Sequence, residues 1–139
     1  MSVESALQVR LVGDTDITDI VSTRIYPARI PQGATFPAMT IQRTSTQHDE
    51  LINGPGDGQS IASFTLSCWA RSEANGFNVV QDLASKVIAR LQGFIGASDG
   101  EQIRSLSIDN EFDTFHEDNN GNTEGTYQRI VDITVAYDS

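Results

Sequence analysis

Three prolines, Pro27, Pro31 and Pro37, fall inside the run RIYPARIPQGATFPAMTIQR between Arg24 and Arg43, and no helix can pass through it. Proline fixes φ, removes a backbone donor and pushes the residue before it toward extended geometry. Tyr26, Ile30 and Phe36 are those preceding residues. They are expected to be extended, in a segment that crosses the surface without regular pairing. The run then turns directly into Met39-Thr40-Ile41-Gln42, which has the period of a strand. The chain therefore divides into a short part ahead of the prolines and a longer part behind them.

Ahead of the prolines, Val3, Leu7 and Leu11 recur at helical spacing with Ala6 and Val12 beside them. This predicts a short helix with Ser2 as N-cap and Gly13 as its stop. A second short helix follows, with Thr15 as cap, Asp16 favouring its N-terminal dipole and Ile17, Ile20 and Val21 turned inward. Behind the prolines, a first strand is predicted over about 38–46. The clearest strand runs over 61–69, where Phe64, Leu66 and Cys68 alternate with Ser63, Thr65 and Ser67. Gly54, Pro55, Gly56 and Gly58 mark the loop between them, so the two strands read as a long antiparallel hairpin.

The strongest helix opens at Ser72 and ends at Gly93, with Phe77, Val80, Ala84, Val87, Ile88 and Leu91 as its apolar stripe. A third strand over about 104–112 places Leu106, Ile108 and Phe112 in phase. The acidic loop HEDNNGNTEG spans 116–125. The last strand, 127–137, sets Tyr127, Val131, Ile133, Val135 and Tyr137 on one face. This order predicts a single α+β domain over 1–139: a mostly antiparallel four-stranded sheet with helices packed on one face. Phe64, Leu66, Val87, Leu91, Ile108, Val131 and Ile133 are the expected core.

The formal net charge is −10 and the nine basic residues are scattered, which argues against tight binding to the phosphates of duplex DNA. Such acidity either serves solubility or repels an anionic neighbour. The single cysteine, Cys68, allows no internal disulfide and reads as a small core residue. The start, Met1-Ser2-Val3-Glu4, lacks the pattern of a secretory signal, and no apolar run approaches the ~18 residues of a membrane span. The expectation is a protein used on the reducing side of a membrane or inside an assembled particle.

No motif for chemistry holds in its required context. Gly96-Ala97-Ser98-Asp99-Gly100 matches the G-x-S-x-G of serine hydrolases, with Asp113 and His116 following in order. That motif needs a strand before the serine and a helix after it, and here the order is reversed. Two histidines and one cysteine are too few for the usual structural zinc site. The acidic loop places Gly121 too early for a calcium loop. The glycines at 54, 56 and 58 lack the flanking strand, helix and Lys-Ser/Thr pair of a phosphate loop. Trp69 reads as a core or edge aromatic at a strand end. Catalytic residues, cofactors and metals are therefore all expected to be none. The residues alone leave open an assembly protein, a small cytoplasmic ligand- or protein-binding module, or an enzyme with an unrecognised carboxylate pair.

One resemblance spans nearly the whole chain. It is carried by Ala6-Leu7-Gln8-Val9-Arg10-Leu11, Ile20 through Pro27, Pro31-Gln32-Gly33-Ala34, Phe36-Pro37 and Thr40-Ile41-Gln42-Arg43. Leu66 through Ala70, Glu111-Phe112-Asp113 and Tyr127-Gln128-Arg129 complete it. In order and spacing these resemble the tail-completion, or tail-terminator, proteins of long-tailed bacteriophages, parts that gene-transfer agents also use. The resemblance implies a non-catalytic virion protein, a hexameric ring that caps the tail tube at the head-proximal end of the tail. The ring would be assembled in the host cytoplasm and joined to the tail tube protein and the head connector or completion protein. DNA would pass through without tight binding, and no membrane is involved. Within that frame Tyr26, Pro27, Pro31, Phe36 and Pro37 are candidate subunit contacts. Asp49, Glu50, Asp57, Glu117, Asp118 and Glu124 are candidates to line the channel or face a partner.

Overall fold

The computed structural model describes residues 3–49 apart from 32 and 34, 59–98 apart from 73 and 74, and 100–117 and 125–138. The elements run α1 (Val3–Val12), α2 (Thr15–Val21), β1 (Ile25–Pro27), β2 (Ala38–Asp49), β3 (Gln59–Arg71), α3 (Gly76–Leu91), β4 (Gly96–Ser98), β5 (Glu101–Glu117) and β6 (Gly125–Asp138). The sheet is not four-stranded, as the sequence pattern suggested. It has six strands in the order β1-β2-β3-β6-β5-β4, and it curls into a half-barrel accompanied by three helices. It is also mixed, because β1 pairs parallel with β2 while every other pair is antiparallel. The two extra strands are the edges, each three residues long.

β1 lies within the segment expected to run unpaired. Met39 N donates to the Arg24 carbonyl at 2.9 Å and Ala28 N to the Ile41 carbonyl at 2.8 Å, which fixes the parallel pairing. Pro27 sits at the strand's end on the sheet edge, where its missing donor costs no ladder bond.

Local signals explain the helix boundaries. Asp14 rather than Thr15 caps α2, its side chain accepting from Asp16 N at 2.9 Å. α3 begins at Gly76, four residues after Ser72, whose hydroxyl instead accepts from Gly125 N at 3.0 Å. A Cβ on Gly76 would lie 2.5 Å from the Arg71 carbonyl oxygen, so only glycine lets the helix start this close to β3. The inward stripe of α3 is Val80, Leu83, Ala84, Val87 and Leu91, while Phe77 is 45% exposed.

The core forms between these helices and one face of the sheet. Leu7 and Leu11 of α1, Ile17 and Val21 of α2 and the α3 stripe meet Met39, Phe64, Leu66, Val131, Ile133 and Val135. The expected core residues are all here, except that Ile108 is only partly buried at its margin.

Two bulges shape β5. Its register with β6 slips between Ile103 and Ser105 and again between Ile108 and Asn110, leaving Arg104 and Asp109 as extra residues. Each slip reverses which side chains face the core. Leu106 and Ile108 pair with Val135 and Ile133 on the core side, but after Asp109 the phase flips. Phe112 then pairs with Ile130 on the opposite face and is 44% exposed, while Glu111, Asp113 and Phe115 take the helix side. A strict alternation from Leu106 to Phe112 therefore does not hold.

Candidate assembly surfaces

The proline segment divides in two. Phe36 and Pro37 are half-buried and, with Ala70, Arg71 and Val79, line a depression of about 50 Å³ on their own domain. Arg24 fastens this end, its Nε donating to the Pro37 carbonyl at 2.9 Å. The Phe36–Pro37 peptide is cis. By contrast Pro27, Ala28, Arg29 and Pro31 are exposed, and Ala28 adopts the left-handed region at φ 67°. Tyr26 is half-buried in β1. The candidate contact set thus contains two residues packed on their own chain and two presented to solvent.

Two of the acidic candidates, Asp49 and Glu117, are among the described residues, and they lie far apart. Asp49 pairs with Gln59, which pairs with Asp138, at one end of the sheet. Glu117 pairs with Gly125 at the other end, near the rung of Arg71 and Thr126. From Gln59 to Arg71 β3 rises through roughly 40 Å at about 3.3 Å per residue, so the two groups mark opposite ends of the strands. Glu50, Asp57, Asp118 and Glu124 lie outside the described residues.

The distal part of β5 carries two arrangements that sequence reasoning missed. On the helix side Arg129 pairs with Glu111 at 2.9 Å and also with Asp113. Its side chain is only 14% exposed, so the two carboxylates compensate a cation set against the margin of the core. Cys68 is its neighbour across the β3–β6 ladder, and burial pushes that thiol up to about 12, which leaves it a packing residue rather than a nucleophile. On the other face the His116 ring stacks on Trp69 with centroids 5.5 Å apart. His116 Nε2 lies 2.7 Å from Gln128 Oε1, Gln128 Nε2 donates to Ser67 Oγ at 2.9 Å, and Trp69 Nε1 donates to Thr40 Oγ1 at 3.1 Å. These contacts tie the far end of β5 across β6 and β3 to β2. The bulge at Asp109 decides which residues take part, and alternation alone does not reveal it.

The residues weighed for chemistry serve packing. Ser98 lies in the short strand β4, not at a strand-to-helix elbow, and its hydroxyl donates to the Ala6 carbonyl at 2.8 Å. Among the described residues no three His, Cys, Asp or Glu side chains converge as a metal site. No described helix is long and apolar enough to cross a membrane.

Comparison with curated proteins returned no match. Among solved structures, a chain in the virion of a native gene transfer agent particle has the same fold, with a TM-score of 0.63 at 16% identity, over 97% of this chain and 95% of that one. The family model described as tail completion protein gp17 matches residues 5–138. The chain therefore belongs to the tail completion protein gp17 family: it is a structural protein of the phage tail and not an enzyme.

Proposed function

We propose that the chain forms a closed ring, of six subunits as the first expectation, that caps the tail tube at its head-proximal end and joins the tail to the head connector. The observation that carries this is a tail-completion family match over almost the entire chain, in a domain whose exposed edges suit protein contacts better than a ligand site. A head-to-tail contact uses two different patches and either closes or grows into a filament, and a terminator must close. The exposed half of the proline segment is one such patch, since its fixed φ lowers the entropy lost on docking. The charge of −10 per subunit gives the ring an acidic channel through which DNA slides without binding.

The test is native mass by light scattering at low and high salt, followed by imaging of the high-salt sample. Salt screens the mutual repulsion of the subunits and should favour the ring. Pro31→Gly should weaken assembly more than it lowers the monomer's melting temperature. A protein that stays monomeric in both salts and fails to cap purified tail tubes would sink the ring reading and leave a small binding module.

A further inference from the structure

We infer that the subunit-to-subunit contact is edge to edge within the sheet: the basic β1 edge with the exposed prolines of one copy docks on the acidic distal edge of β5 in the next. This rests on the ring reading and names the two surfaces that the ring would join.

The first observation is an uncovered edge. β5 is 17 residues long, but β4 covers only Glu101 to Ile103. Among the described residues no strand covers the outer side of β5 beyond that point, and every residue from Asp109 to Glu117 is exposed. This edge shows Phe112 on one face and Phe115 on the other, 44% and 37% exposed. A long edge with exposed aromatics is a template for another chain, which proteins blunt unless a partner covers it.

The second observation is charge. Residues 105–117 hold Asp109, Glu111, Asp113 and Glu117 and no Lys or Arg; Arg129 of β6 pairs with Glu111 and Asp113, so the edge stays net negative, with Asp109 and Glu117 outside that pairing. At the opposite edge, residues 20–48 hold Arg24, Arg29 and Arg43 and not one Asp or Glu, in a chain with 19 acidic residues. Arg43 is matched by Glu4 of α1, but Arg24 bonds only backbone carbonyls and Arg29 is exposed without an ion pair among the described residues. A copy of this chain thus carries, on one edge, the complement of the other.

The third observation is level. The ladders align Ile25 with Met39, Cys68, Arg129 and Asp113 in one row. The next row runs from Tyr26 through Thr40, Ser67 and Ile130 to Phe112, and the next from Pro27 through Ile41, Leu66 and Val131 to Glu111. β1 and the bare stretch of β5 therefore lie on the same rows at opposite edges of one sheet. That placement suits a repeating head-to-tail contact. The Ile25 carbonyl already accepts from Gln8 Nε2 and the Pro27 carbonyl from Arg29 N, so they offer the β5 amides only their second lone pairs and the contact rests mainly on side chains.

The experiment uses the full chain with Arg29→Glu, Asp109→Lys (the carboxylate at the level of Arg29) and the double variant, all at one ionic strength. Each single reversal should raise the concentration for half-assembly by about tenfold, and the double variant should return it close to wild type. Unchanged melting temperatures of the monomers establish that the fold is intact. Hydrogen exchange should show amides in 109–117 slowing on assembly. A wild type that never assembles or caps a tube overturns the ring reading and this contact with it. A wild type that assembles while both single variants assemble equally well, with no slowing in 109–117, overturns the edge contact alone. Slowing that appears only when tubes are added assigns this edge to the tube protein and also overturns it.

Discussion

The two halves of β5 are one continuous strand with opposite surroundings. From Glu101 to Ile108 it is flanked by β6 and partly by β4, and it buries Ile103 and Leu106 at 1% and 4% exposure. From Asn110 to Glu117 the ladder to β6 continues without a break, yet every side chain from Asp109 onward is exposed. Backbone pairing is the same in both halves, so pairing does not distinguish them. Helix cover does: the core beneath the sheet gives out near Ile108, which is only partly buried. The proximal half serves the fold, and the distal half is held out from it by hydrogen bonds, two ion pairs to Arg129 and the His116–Trp69 stack.

That contrast predicts the largest difference between mutations. Leu106→Ala, and likewise Ile133→Ala across the ladder, should cost about 2–5 kcal/mol in denaturant titration, the range for emptying a packed site. Phe112→Ala should cost under about 1 kcal/mol, because its ring is already half in water. Equal losses at Leu106 and Phe112 would break the distinction between the halves.

The junction itself can be tested. Deleting Asp109 removes the extra residue while leaving Asn110 opposite Asp132 and Glu111 opposite Val131, so the distal half keeps its faces. Glu111 and Asp113 would stay on Arg129, His116 would stay on Trp69, and only the exposed hydrogen bonds from Ser107 and Thr134 to Asp109 would be lost. A loss under about 1 kcal/mol is expected, with hydrogen exchange in the distal half unchanged. A deletion that speeds exchange throughout the distal half would show that the bulge itself, and not the pairing beyond it, holds that half in place.

The same bulge marks the limit of what the sequence pattern reveals. Alternation in 61–69 and 127–137 locates β3 and β6 because each keeps one phase against a continuous core. The helical stripe ending at Leu91 locates α3, although Leu83 belongs in that stripe and Phe77 does not. β1 and β4 escape because three residues cannot display a period, and because the pairing of β1 is set by Met39 and Ile41 rather than by anything local. Arg129 with Glu111 and Asp113 escapes because recognising it needs the register after Asp109. The candidate surfaces are legible in the same uneven way. The prolines announce a stiff segment, but only packing separates the exposed Pro27 and Pro31 from Phe36 and Pro37, which lie against Ala70 and Val79.

The smallest expected effect belongs to the opposite end of the sheet, where α1 is clamped rather than left bare. Arg43 Nη2 donates to Glu4 Oε1 at 2.7 Å, and its Nε donates to Oε2 at 3.3 Å. These hydrogen bonds hold the Glu4 carboxyl below its ordinary value near 4.5, against the opposing effect of burial. A carboxyl whose folded pKa is depressed adds stability that is fully present above its unfolded pKa. That stability is lost as pH falls through the folded pKa, where both states bind the proton. Between about pH 6 and about pH 3 the wild type should therefore lose more stability than Glu4→Gln does. Both side chains are about one-third exposed, at 30% and 33%, so water screens the pair and the excess loss should stay under about 1 kcal/mol. Matching acid profiles for the two proteins would show that the pair contributes nothing measurable. The attachment of α1 would then rest on the buried Val3, Ala6, Leu7 and Leu11 and on its hydrogen bonds with Ser98, Arg90 and Ile25, as apolar burial at the proximal half of β5 rests on Ile103 and Leu106.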